Sequence, residues 1–299
     1  MIQWFPGHMH KARKEFSKIL PQVDLVIEVL DARLPGSSEN PMLARLRGDK
    51  PCLKLLNKSD LADADILERW QQSLAQQREV RSLACHQQDG AINQLPRLCR
   101  ALVPKRENRS NRIVALIAGI PNVGKSTLIN RLARRHIART GGEAALTRMQ
   151  QRIEISEALM LIDTPGMLWP KFDNEASGYR LAATGAIRDT ALALQDVASF
   201  VAEFLLQSYP QRLVQRYDID PLPTSDIELL EVIARKRGCI VSGGQVDLEK
   251  VSRLLLSELR AGELGGICLE TPESYAEEWR QIELNQELEQ QRAGERRKR

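Results

Sequence analysis

Aromatic residues make up only 4% of this 299-residue chain, and its cysteines (Cys52, Cys85, Cys99, Cys239, Cys268) are scattered, odd in number and contain no C-x-x-C. The sparse aromatics leave no run of stacking side chains of the kind that grips single-stranded nucleic acid. The cysteine pattern argues against a disulfide scaffold and a zinc ribbon, and it suits a reducing compartment. Long apolar runs are missing as well. Stretches such as Ile113 to Ile120 fall far short of the roughly 20 residues needed to span a bilayer. The opening Met1-Ile2-Gln3-Trp4-Phe5-Pro6-Gly7-His8 lacks the basic-then-apolar layout of a secretory signal. A soluble cytoplasmic protein is the expectation, with no membrane and no DNA partner. Net charge is small too, 43 Lys+Arg against 39 Asp+Glu.

What is present is ordinary globular composition, with 42% hydrophobic and 27% charged residues. The length suggests two domains, since single cores rarely grow beyond about 250–300 residues. Charge is unevenly distributed. Arg97 to Arg112 and Arg131 to Arg152 each carry six basic residues and one acid, whereas Glu270 to Glu289 has seven Glu against Arg280 alone. Solvated helical faces explain such basic clusters more often than RNA does, although structured RNA met through its phosphates would need few aromatics.

Val23 to Leu30, Cys52 to Leu56, Ile113 to Ala118 and Leu159 to Ile162 read as buried strands. Helical stretches at His10 to Leu20, Ala64 to Gln76 and Thr127 to Arg134 alternate with them. That alternation predicts an α/β fold with a mostly parallel sheet flanked by helices. After about Arg180 the pattern turns helical, over Leu192 to Leu206, Asp226 to Arg237, Leu248 to Arg260 and Pro272 to Gln291. The expected organisation is an α/β domain over 1–189, an all-helical domain over 190–285 and a disordered charged tail over 286–299.

Three motifs carry chemistry. Gly119-Ile120-Pro121-Asn122-Val123-Gly124-Lys125-Ser126 fits G-x-x-x-x-G-K-[ST] between a strand and a helix, the context of a phosphate-binding loop. Its glycines let N–H groups of Asn122 to Thr127 approach phosphates, and the helix N-terminus favours the anion. Lys125 is expected on the β- and γ-phosphates, and Ser126 on Mg²⁺. Asp163-Thr164-Pro165-Gly166 follows a strand, so Asp163 is a candidate metal ligand and Gly166 N–H a candidate γ-phosphate sensor. Asn57-Lys58-Ser59-Asp60 fits the N-K-x-D that selects guanine. A carboxylate at Asp60 accepts both guanine N–H donors, and adenine would leave it unpaired. Lys58 can lay its stem along the ring. Taken alone, the tetrapeptide would also serve as a helix cap. Together the motifs read as GTP/GDP binding. Because Asn57 precedes Gly119, the nucleotide domain is circularly permuted, and the segment after Asp163 leads straight into the helical part.

With these residues in view, the chain resembles the YlqF/RbgA-type permuted GTPases, the ribosome biogenesis GTPase A family. Trp4-Phe5-Pro6-Gly7-His8-Met9 with Lys11-Ala12-Arg13, Asp31-Ala32-Arg33-Leu34-Pro35, Ser37-Ser38-Glu39-Asn40-Pro41 and Trp169-Pro170-Lys171 match its signatures beside the nucleotide motifs. The resemblance implies a cytoplasmic GTPase that binds the maturing large (50S) ribosomal subunit and its rRNA, and leaves after hydrolysis; a monomer is expected. Two alternatives stay open: a nucleotide-gated RNA-binding scaffold with weak hydrolysis, and a permuted GTPase acting on the small subunit or another RNA.

The sequence departs from the family in places. Glu143-Ala144-Ala145-Leu146-Thr147 stands where Arg-Pro-Gly-Val/Ile-Thr is usual, with Thr147 kept as candidate second Mg²⁺ ligand. Ala84-Cys85-His86 stands near the usual Ser-Ala of the fifth motif. Where many GTPases carry a water-orienting Gln, this chain has Met167, which offers no useful hydrogen bond. His8 is the candidate replacement, against a local packing role for a lone histidine. Intrinsic turnover should then be slow and partner-stimulated. Asn122 resembles the residue that binds K⁺ in potassium-activated GTPases, against a simple support of loop geometry.

Overall fold

The four apolar runs form the centre of a six-stranded sheet. In the computed structural model, which describes residues 16–104, 112–134, 151–164, 173–187 and 193–297 (side chains to Gln291), the strands are β1 (Leu25–Asp31), β2 (Cys52–Asn57), β3 (Val80–Ala84), β4 (Ile113–Gly119), β5 (Gln151–Ser156) and β6 (Leu159–Asp163). Their order is β3-β2-β1-β4-β6-β5. All neighbours are parallel except β5, which runs antiparallel to β6.

Every residue of β1 and β2 is buried, as expected of strands covered on both faces. Alternation then sorts their side chains. Leu25, Ile27 and Val29 join Ala115 and Ile117 in the main core, while Val26 joins Leu116 and Ala118 in a second core on the other face with Phe16, Ile19 and Leu43. The sequence reading missed β3 and β5, which form the two sheet edges. Only Val80 of β3 and Ile153 of β5 are fully buried, so neither has an apolar run.

The helices are α1 (Pro35–Ser38), α2 (Pro41–Arg47), α3 (Ala64–Ala75), α4 (Leu95–Leu102), α5 (Lys125–Ala133), α6 (Glu175–Ala183), α7 (Leu194–Ser208), α8 (Pro210–Tyr217), α9 (Asp226–Arg237), α10 (Leu248–Ala261) and α11 (Pro272–Arg297). Of the expected first helix, residues 16–19 are helical, Leu20 opens the 3₁₀ turn Leu20–Gln22, and residues 10–15 lie outside the described residues. Local chemistry accounts for several boundaries. Asn40, Asp63, Ser225 and Asp247 each cap a helix through the side chain. Gly238 and Gly262 end α9 and α10 in the left-handed region. α1, α2, α4, α6 and α8 were not read from sequence.

Helices α7, α9 and α10 pack on one another, and α6 joins α7 to α1. The main apolar core runs without a break from Leu25 through Leu181 and Val197 to Leu269. Where a disordered charged tail over 286–299 is expected, the described part, to Arg297, is helical: α11 begins at Pro272, crosses residue 285 and continues to Arg297. No helix among the described residues is long and apolar enough to cross a membrane.

Candidate nucleotide site

Asp31, Asn57, Gly119 and Asp163 lie at the C-terminal ends of the adjacent parallel strands β1, β2, β4 and β6. β1 and β4 are neighbours from which the chain winds outward in opposite directions, which opens a crevice between them. The phosphate loop, Asn57-Lys58-Ser59-Asp60 and the described start of the third motif, Asp163-Thr164, border this end of the sheet.

The phosphate loop leaves β4 at Gly119, where a Cβ would sit 2.8 Å from the Val29 carbonyl oxygen of β1. Gly124 has φ +92°, and a Cβ there would strike the Asn57 amide. Glycine is therefore required at Gly124 by backbone conformation and by space alike. Helix α5 begins at Lys125, so its first-turn N–H groups face the loop. Lys125 is buried, and its Nζ is paired with the Asp163 carboxylate. Burial lowers the Lys125 pKa, and the Asp163 charge opposes that only in part. Thr164 Oγ1 donates to the Ile117 carbonyl at 3.0 Å and fixes the end of β6 against β4.

The guanine motif is tied directly to the phosphate loop. Asn57 Nδ2 donates to the Val123 carbonyl at 2.7 Å, 66 residues along the chain. Lys58 takes a left-handed backbone, φ +60°, and opens the 3₁₀ turn Ser59–Leu61 that carries the exposed Asp60. Ser59 N–H donates to the Cys85 carbonyl at 3.1 Å, and Cys85 Sγ lies 3.9 Å from Asn57 Oδ1. The Ala84-Cys85-His86 stretch thus adjoins the guanine motif. Burial pushes the Cys85 thiol up to about 12. Asn122, φ +58°, donates from Nδ2 to the Gly185 carbonyl at 2.8 Å just beyond α6. That bond ties the phosphate loop to the helical region.

For Mg²⁺ the chemistry of the donors is the test. A hydroxyl on Ser126, half-buried at the start of α5, and a carboxylate on Asp163, at the end of β6, are hard oxygen ligands of the kind this cation prefers. His8, Thr147, Gly166, Met167, Trp169 to Lys171 and the Glu143 to Leu146 segment lie outside the described residues.

Two arrangements escaped the sequence reading. Asp31, known there only as part of a signature, is bonded by Arg33 at 2.9 and 2.8 Å and by Lys58 Nζ at 2.9 Å. Behind the crevice, buried Arg180 of α6 reaches Glu270 at 3.2 Å and also pairs with Glu278 of α11. Ser37 of α1 bonds Glu270 through both its N–H and its hydroxyl. Arg180 is the one cation of Glu175–Ala183, a stretch that also carries Glu175, Ser177 and Tyr179, so nothing in the sequence marked the pairing.

Residues 114–232 match the family model described as 50S ribosome-binding GTPase. The ribosome biogenesis GTPase A of Bacillus cereus is 43% identical, over 96% of this chain and all of that protein. The namesake from Bacillus pumilus is 45% identical over 91% of this chain and 99% of its own. The GNP-bound crystal structure of YlqF from T. maritima has a TM-score of 0.61 at 26% identity, covering 88% of this chain and 99% of that one.

Proposed function

Because the chain belongs to the ribosome biogenesis GTPase A family, we propose that it is a GTP-hydrolysing assembly factor that binds the maturing large ribosomal subunit in its GTP form and leaves after hydrolysis. The observation carrying the reading is the joined crevice: the Asn57 amide on the Val123 carbonyl locks the guanine motif to a phosphate loop whose Lys125 lies against Asp163. Asp60 reads the guanine donors. The α5 N-terminus and Lys125 bind the phosphates and offset the charge that develops on them in the transition state. Ser126 and Asp163 would hold Mg²⁺, with Thr147 as a further ligand, and the ion would supply charge neutralisation for the phosphates. Gly166 N–H senses the γ-phosphate. His8 supplies the water-orienting group that Met167 cannot, and Asn122 would hold a K⁺ ion, which would add positive charge to the site.

Loss of the γ-phosphate is felt after Asp163 and hence at α6, the next described element. Arg260 of α10 supports this route by donating from Nε and Nη2 to the Ala183 and Ala182 carbonyls at 2.9 and 2.8 Å, and Arg180 carries α6 to α11. The factor works as a cytoplasmic monomer, with the basic faces around Arg97–Arg100 and Arg131–Arg134 toward rRNA.

The test is GTP hydrolysis in potassium buffer with purified large subunits, small subunits or neither. Slow turnover stimulated by large subunits alone is expected, and lost in His8→Ala. Stimulation by small subunits, or none with GTP binding intact, would overturn the large-subunit assignment.

A further inference from the structure

One buried charge beside the crevice has no part in the chemistry above. Asp31 ends β1 directly opposite Asn57 in the β1–β2 register, and its side chain is 3% exposed. Burial alone would raise its pKa, yet the Arg33 and Lys58 charges hold it well below the usual carboxylate range. It is therefore an anion at neutral pH. Arg33, 2% exposed, grips both of its oxygens through Nε and Nη2. That fork is the strong, geometrically fixed kind of carboxylate pair and by itself neutralises the buried charge.

A second cation is thus not needed to keep Asp31 buried, and yet Lys58 is there. Its Nζ is turned inward onto Asp31 Oδ2 at 2.9 Å while its side chain stays 24% exposed at the crevice. Lys58 also keeps a left-handed backbone that L-residues rarely adopt, a conformation that persists only when surroundings over-determine it. With the ammonium drawn under Asp31, the part of Lys58 left facing the crevice is its aliphatic stem.

The seat of Asp31 is rigid. Its N–H donates to Ser38 Oγ at 3.1 Å, Ala32 N–H donates to the Asn57 carbonyl at 2.8 Å, and Leu269 N–H donates to the Arg33 carbonyl at 2.7 Å. The Cys268 thiol also lies 3.6 Å from the Ala32 carbonyl. A side chain held by a partner that is itself immobilised loses little entropy when a ligand arrives.

We infer that Asp31 is a positioning residue for guanine binding: it anchors the Lys58 ammonium so that the Lys58 stem forms a fixed platform for the purine ring. The inference rests on the guanine-site reading above and extends it to a residue outside N-K-x-D.

The experiment is a double-mutant cycle on the full chain, with Asp31→Asn, Lys58→Met and the pair, read as affinity for fluorescent GDP and paired with thermal unfolding midpoints. Wild-type protein should bind GDP and not ADP; failure of that would overturn the site reading and this inference together. Each single variant should weaken GDP binding by about tenfold, the loss of one charge-assisted anchor. The double variant should be no weaker than Lys58→Met alone. Losses that multiply in the double variant, or GDP binding by Asp31→Asn at wild-type strength, would overturn the assignment. A merely structural Asp31 would lower the unfolding midpoint and weaken binding equally with or without the lysine ammonium. Should Asp31→Asn fail to fold, Lys58→Met, at a partly exposed side chain, decides alone: wild-type affinity there shows the anchor is dispensable and the inference wrong.

Discussion

The two halves of the crevice are built differently. On the phosphate side, among the described residues, one unbroken stretch, Gly119 to Ser126, supplies the loop, the glycines and the start of α5, and Asp163 joins it from β6. On the base side the pieces are distant in sequence: Asp31 and Arg33 at the end of β1, Asn57 to Asp60 at the end of β2, Cys85 after β3, and Leu269 closing the turn from behind. A contiguous site is fixed by local backbone geometry, so its faults should be abrupt. A composite site spreads its binding over several partial contacts, so single losses there should be graded.

The harshest test of that contrast is Gly124→Ala. The left-handed backbone and the clash with the Asn57 amide act together. Combined strain of a few kcal/mol predicts loss of GDP affinity on the order of 100-fold or more, read by fluorescent-nucleotide titration. An affinity close to wild type would mean that the loop is not locally fixed. Asn57→Ala comes next, because it cuts the bond by which the guanine motif holds the phosphate loop and leaves the Val123 carbonyl short of a partner. An unsatisfied buried group costs about 1–3 kcal/mol, so GDP binding should fall by roughly 5- to 150-fold. The gentlest test is Cys85→Ser. Its thiol sits 3.9 Å from Asn57 Oδ1, a weak contact that a hydroxyl can replace, so affinity should stay within about threefold of wild type. A large loss there would show the base side to be as brittle as the phosphate side.

The same contrast governs what was legible beforehand. Strands β1, β2, β4 and β6 were readable because they sit inside the sheet, covered on both faces, and so spell apolar runs. The edges β3 and β5 present one poorly covered side and mix Arg, Ser, Gln and Glu into the strand, which erases the run. Short helices such as α1 and α8 escaped because four or eight residues give too few turns for a helical period to register. The end of α11 was taken for a tail because its polar composition matches a solvated chain, and polar residues still complete helical backbone bonds.

The sequence by itself determined the phosphate loop, the guanine tetrapeptide, their permuted order and the helical character beyond Arg180. Each of these depends on neighbours along the chain, where spacing is geometry. The tertiary structure alone decided that the Lys58 ammonium meets Asp31, 27 residues away, that the Asp31 turn is backed by Cys268 and Leu269, and that Arg180 spans α6 and α11. Those pairings arise only when β1 and β2 lie side by side and the C-terminal segment packs behind them. Sequence separation carries no record of which distant backbones will be brought within hydrogen-bonding reach.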